Sequence, residues 1–261
     1  GSTLNASGTN TVNITGKNNT VFYVETDGTF EQNFMVNGDE NADYTLMYIK
    51  NNTAAYNGEA LMSGNSTVFY GENSSIVLGE SALLRADGGN TAGIYADGLY
   101  SGTADYEAIN NGKIQFGDNS AGLYGVNGAR LLNTGTVTVG NKSLGLSSED
   151  SSHLRNEGTV KTENDSVGIS AENTELVENT GNVSAAGENI TGLYSKTTGT
   201  SVINNEGIID LSGKNTTGVY LENGGQQIFN NKGTIKTGSS DSAEMSNTAV
   251  YNDGHVVNNS G

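Results

Sequence analysis

The sequence predicts an all-β fold: a parallel β-helix, or solenoid, of about ten coils with repeat intervals from 22 to 31. Three observations lead there. First, an octapeptide resembling G-x-N-x-x-G-(Leu/Ile/Val)-Tyr recurs, and its last position falls at Tyr23, Tyr48, Tyr70, Tyr95, Tyr124, Ser147, Ser170, Tyr194 and Tyr220, with Tyr251 as a tenth. The spacings between these positions run from 22 to 31, with most near 24, and eight of the twelve tyrosines occupy this one position. Second, a motif Asn-x-Gly-x-(Ile/Val) keeps step with it. Third, apolar residues alternate with period two around that motif, and the chain has no proline. Repeats of this length mark a solenoid, and period-two alternation marks its elements as strands.

Taken in order, residues 1–60 carry the weakest copies: GKNNTVFY at 16–23 and DYTLMY at 43–48. They read as less regular coils or as a cap over otherwise unpaired strand edges. Residues 61–261 read as regular coils of the same elongated domain, through GNSTVFY (64–70), GGNTAGIY (88–95), GDNSAGLY (117–124), GNKSLGLS (140–147), ENDSVGIS (163–170), GENITGLY (187–194) and GKNTTGVY (213–220). The second motif places Asn110, Asn133, Asn156, Asn179, Asn205 and Asn231 in one row. Gly112, Gly135, Gly158, Gly181, Gly207 and Gly233 form another, and a further Asn-x-Gly stands at 259–261.

Two positions before each Asn stand Ala108, Leu131, Leu154, Val177, Ile203, Phe229 and Val257; four after stand Ile114, Val137, Val160, Val183, Ile209 and Ile235. These are the expected inward ladders. No coil buries its aliphatics alone, but stacked coils do. At a strand spacing of about 4.7–4.9 Å, ten coils give a rod roughly 45–50 Å long. The repeated Asn is expected to bond coil to coil, and the repeated Gly to supply positive φ in the turns. Tyr95, Tyr124, Tyr194 and Tyr220 are expected to stack as a structural ladder. The coil is expected to be right-handed, a hand the repeat itself leaves open. Helical repeats are excluded, because no stretch keeps a helical apolar period.

Lys and Arg number 12 against 29 Asp and Glu, a net charge of −17 with no basic block. That excludes a nucleic-acid footprint and opposes anionic lipid. No apolar run is long enough to span a bilayer, so no direct membrane insertion is expected. Cysteine is absent, which removes disulfides and thiolate zinc sites. Gly1-Ser2 and the NNSG end read as the cut ends of a longer chain.

No catalytic residue, metal or cofactor is assigned. A polysaccharide lyase or glycosidase needs opposed carboxylates or a base with cations. Asp87, Asp97, Asp105 and Glu107, with Arg85 nearby, form the best cluster for it, and solvated acidic surface is the better account. His153 and His255 lie too far apart for a metal pair and read as exposed. Residues 39–43 (DENAD) are the one weak oxygen-ligand loop, and the Asn-x-Ser/Thr sequons follow from composition. Binding is sought where the repeat is interrupted, since loops leaving a rigid scaffold carry function. The long coil 95–124 offers Asp97, Tyr100, Asp105 and Tyr106, with both tyrosines expected exposed in loop 97–108. The coil 220–251 offers Asp241 and Glu244 in segment 238–247. The acidic, aromatic stretch 25–44 offers Phe30, Phe34 and Tyr44.

Coils built from N-x-G-x-(I/V) and G-x-N-x-x-G-(L/I/V)-Y resemble the passenger domains of large Gram-negative type V autotransporter adhesins. The resemblance covers residues 88–261 well and 1–87 more loosely. It implies display on the bacterial surface, at the outer membrane, and attachment to a protein or glycan on host cells or other bacteria by a monomeric rod. It implies, as an alternative, a stalk whose binding tip lies elsewhere. It also gives the missing cysteines a cause, since such passengers cross the outer membrane before folding.

Overall fold

The structure is a computed structural model that describes residues 5–6, 11–16, 18–25, 29–32, 35–38, 44–62, 64–238 and 246–261. Among these there is no helix, and every strand pairing is parallel. Each coil contributes one strand to each of three faces. The valine face is a sheet of ten strands, from Thr11–Ile14 to Thr234–Thr237. The tyrosine and asparagine faces join into a 19-stranded sheet, because Ala121–Asn133 and Leu144–Asn156 run through the corner between them unbroken. The ten rungs of the valine face make a β-solenoid of about 9 turns.

The register follows the repeat. Tyr23 pairs with Tyr48, Tyr48 with Tyr70, Tyr70 with Tyr95 and Tyr95 with Tyr124. Pairing continues through Ser147 and Ser170 to Tyr194, Tyr220 and Tyr251. Strands within residues 1–60 join the same ladders, as when Tyr44–Lys50 pairs with Thr67–Glu72. Because side chains alternate along a strand, a fixed register fixes what is inside. Leu131, Leu154, Val177 and Ile203 on the asparagine face, and Ile114, Val137, Val160 and Val183 on the valine face, are buried in one continuous core. Burial of each such side chain contributes roughly 1.5–3 kcal/mol.

The turns correct one expectation. The glycines of the Asn-x-Gly row do not take positive φ. Among the described residues, positive φ outside glycine occurs at thirteen sites, and all lie at two corners of the coil. One corner is the third position of the octapeptide: Asn18, Asn65, Asn90, Asn119, Lys142, Asp165, Asn189 and Asn215. The other lies three positions after the tyrosine: Asn51, Asn73, Asn127, Asp150 and Asn173. Asn and Asp tolerate this left-handed region because a short polar side chain bonds locally. Glycine answers a different demand, close approach between coils. A Cβ at Gly158 would lie 2.6 Å from the carbonyl carbon of Thr134 and closer still to the Gly135 oxygen. Likewise a Cβ at Gly122 would meet the Gly145 oxygen at 2.6 Å and overlap Val137. The octapeptide glycine thus makes room for the branched residue of the opposite face.

Candidate functional site

Three features on this frame have the chemistry to matter. The first is internal. Asn110 Nδ2 donates to Asn133 Oδ1 at 2.7 Å, and the same bond runs on through Asn156, Asn179, Asn205 and Asn231 to Asn259 at 2.7–2.8 Å. Asn110 to Asn205 are fully buried. The ladder replaces water for a row of amides the core would otherwise strand.

The second is the tyrosine face. Tyr23, Tyr48, Tyr70, Tyr95 and Tyr124 stack with ring centroids 5.0–5.2 Å apart. The column stops at Ser147 and Ser170 and resumes from Tyr194 through Tyr220 to Tyr251. Hydroxyls donate to carboxylates on the following coil: Tyr48 to Glu72, Tyr70 to Asp97 at 3.0 Å, Tyr124 to Glu149 at 2.9 Å and Tyr194 to Glu222 at 2.5 Å. Burial, then the bond to Asp97, pushes the Tyr70 phenol up to about 12. Burial, then the bond to Glu149, does the same for Tyr124, also to about 12. Since the rings cover one another's faces, the column offers solvent mainly edges and hydroxyls, which suits a stiffening role more than a stacking platform.

The third is the insertion in the long coil. It leaves the tyrosine face at Gly98, whose φ of 82° supplies the corner, and rejoins the asparagine face at Ala108–Asn110. Its anchor is Glu107, which is fully buried. Glu107 Oε2 accepts from the Arg130 backbone N–H (2.7 Å) and Nε (3.1 Å), while Oε1 accepts from an Arg130 Nη (2.8 Å) and the Tyr100 N–H (3.2 Å). The same Nη also donates to the Ala104 carbonyl at 2.9 Å. One ion pair therefore ties the start, middle and end of the insertion to the next coil. Tyr106 packs its ring on His153 at 5.5 Å, and His153 Nε2 lies 2.8 Å from Glu178 Oε2. Arg155 pairs with Glu157 at 2.7 Å and with Glu178 at 3.4 Å. Leu99 and Asp105 stand exposed beside this patch.

These placements correct several expectations. Tyr44 is no surface aromatic: it is 2% exposed, and its hydroxyl donates to Met62 Sδ at 3.0 Å. It occupies the turn position held by Ser66, Ser120 and Ser143 in other coils, where a side chain points inward. Tyr100 and Tyr106 are half-buried, because the Glu107 clasp draws their loop onto the rod. His153 is half-buried as well. The four carboxylates near Arg85 are not one solvated cluster. Glu107 is clasped inside, Asp97 accepts from Tyr70 and Asn127, and Asp87 pairs with Arg85 at 3.3 Å. Phe30 lies on a strand paired with Ala54, while Phe34, Asp241, Glu244 and the acidic loop 39–43 fall outside the described residues. Among the described residues no group of three or more His, Cys, Asp or Glu is arranged to hold a metal ion.

Sequence reasoning missed the Arg130 partner of Glu107. The signal was there, since positions 107 and 130 carry opposite charges and stand one regular coil apart. Residues 1–190 match the family model described as the BigA third pectate lyase-like domain. Comparison with curated proteins and with solved structures gives no match.

Proposed function

Because the chain belongs to the family of the BigA third pectate lyase-like domain, we propose that it is a non-enzymatic adhesin segment, a β-helical rod of a bacterial surface protein that attaches to a protein or glycan on another cell. The family's namesake being an autotransporter-like surface protein supports the location. The single observation that carries the reading is the Glu107–Arg130 clasp. A loop with only a connecting role gains nothing from a buried charge. Here a desolvated carboxylate is retained to hold one interruption of the repeat in a fixed shape, beside Tyr106, His153 and Arg155. A rigid, mixed aromatic and charged patch is the kind of surface that proteins use as a binding anchor.

The test is binding of the purified domain to host cells and to bacteria, with and without residues 98–106 replaced by a short turn. Binding lost on shortening, with the thermal melt preserved, supports the reading. Binding unchanged by it moves the rod to the role of stalk. The pectate lyase-like coil keeps one enzymatic alternative in play, and release of unsaturated products from acidic polysaccharides is the result that favours it.

A further inference from the structure

An asparagine followed by glycine is chemically labile, because the glycine nitrogen, unshielded by a Cβ, can attack the asparagine side-chain carbon. The chain has five such pairs, beginning at Asn37, Asn57, Asn111, Asn127 and Asn223. The stacked coils treat them differently.

Four are held. Asn37 lies in the strand Met35–Gly38, and its Nδ2 donates to Asn13 Oδ1 at 3.4 Å. Asn57 lays its side chain over Gly79, so closely that a Cβ there would overlap Oδ1, and Gly58 is buried. Asn111 Oδ1 accepts from the Thr134 hydroxyl at 2.7 Å, while the buried Gly112 donates its N–H to Asn110 Oδ1 at 3.1 Å. Asn127 is exposed, but it sits inside the strand Ala121–Asn133, and its Nδ2 donates to Asp97 Oδ1 at 2.7 Å.

The fifth is free. Glu222, Asn223, Gly224 and Gly225 form the corner between Thr217–Leu221 and Gln226–Asn231. The Glu222 N–H donates to the Ser195 carbonyl at 2.9 Å and the Gly225 N–H to the Thr197 carbonyl, so the corner is pinned on both sides. Between those pins Asn223 and Gly224 are both exposed. Among the described residues, neither the Gly224 N–H nor the Asn223 amide has a hydrogen-bond partner.

We infer that Asn223 is a site of spontaneous modification, converted to aspartate and isoaspartate in the folded rod. The Gly224 nitrogen gives its proton to water and bonds Asn223 Cγ. The Cγ–Nδ2 bond then breaks, and the amide nitrogen takes up a proton and leaves as ammonia. Water opens the five-membered imide at either carbonyl. Cleavage from Cγ restores the main chain as aspartate; cleavage from the main-chain carbonyl reroutes it through the side chain as isoaspartate. Water is the only co-reactant. At the other four pairs the coils must first open locally, which slows the same step. Either product sets a new carboxylate beside Glu222, which accepts from the Tyr194 hydroxyl and pairs with Lys196. Isoaspartate also lengthens the chain by one carbon, and two glycines outside any strand absorb it without moving the rung that follows. The inference is independent of the attachment reading.

The purified domain would be incubated at neutral and at mildly alkaline pH, folded and in urea, then digested and mapped by mass spectrometry. Electron-transfer fragmentation separates isoaspartate from aspartate. In the folded domain, deamidation at Asn223 is expected to run at least tenfold faster than at each of the other four pairs, and faster at the higher pH. In urea the five rates should converge to within severalfold. Equal rates in the folded domain overturn the inference, as does another pair reacting first. A tenfold lead for Asn223 that persists in urea also overturns it, because local sequence alone then sets the rate.

Discussion

Replacing Asn156 by Ala tests whether the buried amides hold the coils together or merely fill space. Asn156 accepts from Asn133 Nδ2 and donates to Asn179 Oδ1, both at 2.8 Å, with no solvent access. Its loss leaves two groups stranded. Asn133 Nδ2 keeps only a 3.4 Å contact with the Gly135 oxygen, and Asn179 Oδ1 loses its donor from the preceding coil. A buried group left unpaired costs about 1–3 kcal/mol, so the pair predicts roughly 2–6 kcal/mol. The matched control is Asn204→Ala, from a half-buried row where Asn230 donates to it at 3.0 Å and water can take its place. There the change should stay within about 0.5 kcal/mol. Urea unfolding followed by far-UV circular dichroism gives the global value. Because solenoids unfold in parts, exchange of the Thr180 amide, bonded to the Asn156 carbonyl, gives the local one. If both variants fall within about 0.5 kcal/mol of each other, the ladder contributes no more than a surface row, and the reasoning fails.

Gly158→Ala should be worse than its size suggests. The added methyl has no room against Thr134 and Gly135, so the rung must open; a loss of at least about 3 kcal/mol is expected, against about 0.5 kcal/mol or less for Gly199→Ala, whose surroundings are open. Glu107→Gln leaves Arg130 without its charge partner. Breaking a buried pair from one side costs about 3–5 kcal/mol, and limited proteolysis should then cut first within 98–106, which unchanged cleavage would refute. The raised phenols of Tyr70 and Tyr124 set an alkaline limit. Their folded pKa lies above the unfolded value, so their contribution is complete below pH 10 and is lost as pH rises towards about 12. Tyrosinate absorbance should show a late-titrating fraction that disappears on unfolding in urea, and uniform titration near 10 would contradict the column.

Much of the fold is legible because the constraint is translational. Two coils that stack must place like residues at like positions, so the rows of Tyr and of Asn state the strand register directly. What the repeat does not state is why a residue is needed. Glycine at 112, 135 and 158 reads as a source of positive φ, but its neighbour in space is a carbonyl of the preceding coil, which local pattern does not reveal. Tyr44 escapes the pattern because its coil departs most from the octapeptide, which hides its place at the inward turn position. The insertion is visible as a long interval, but its shape depends on one bond between charges on different coils. Sequence gaps locate interruptions; whether they are loose or clasped is decided by tertiary partners.

The asparagine ladder also has a direction. Every amide from Asn110 to Asn231 points its NH₂ towards the following coil, and the first is set by the Gly112 N–H, which donates to Asn110 Oδ1 at 3.1 Å. Turning one amide over would set oxygen against oxygen on one side and nitrogen against nitrogen on the other, so the row can only reverse as a whole. Aligned amides strengthen one another. The rod is therefore electrically polar along its axis, with partial negative charge at the Asn110 end of the row and partial positive charge at Asn259, and a substitution at any rung is felt as a break in a single polarised chain.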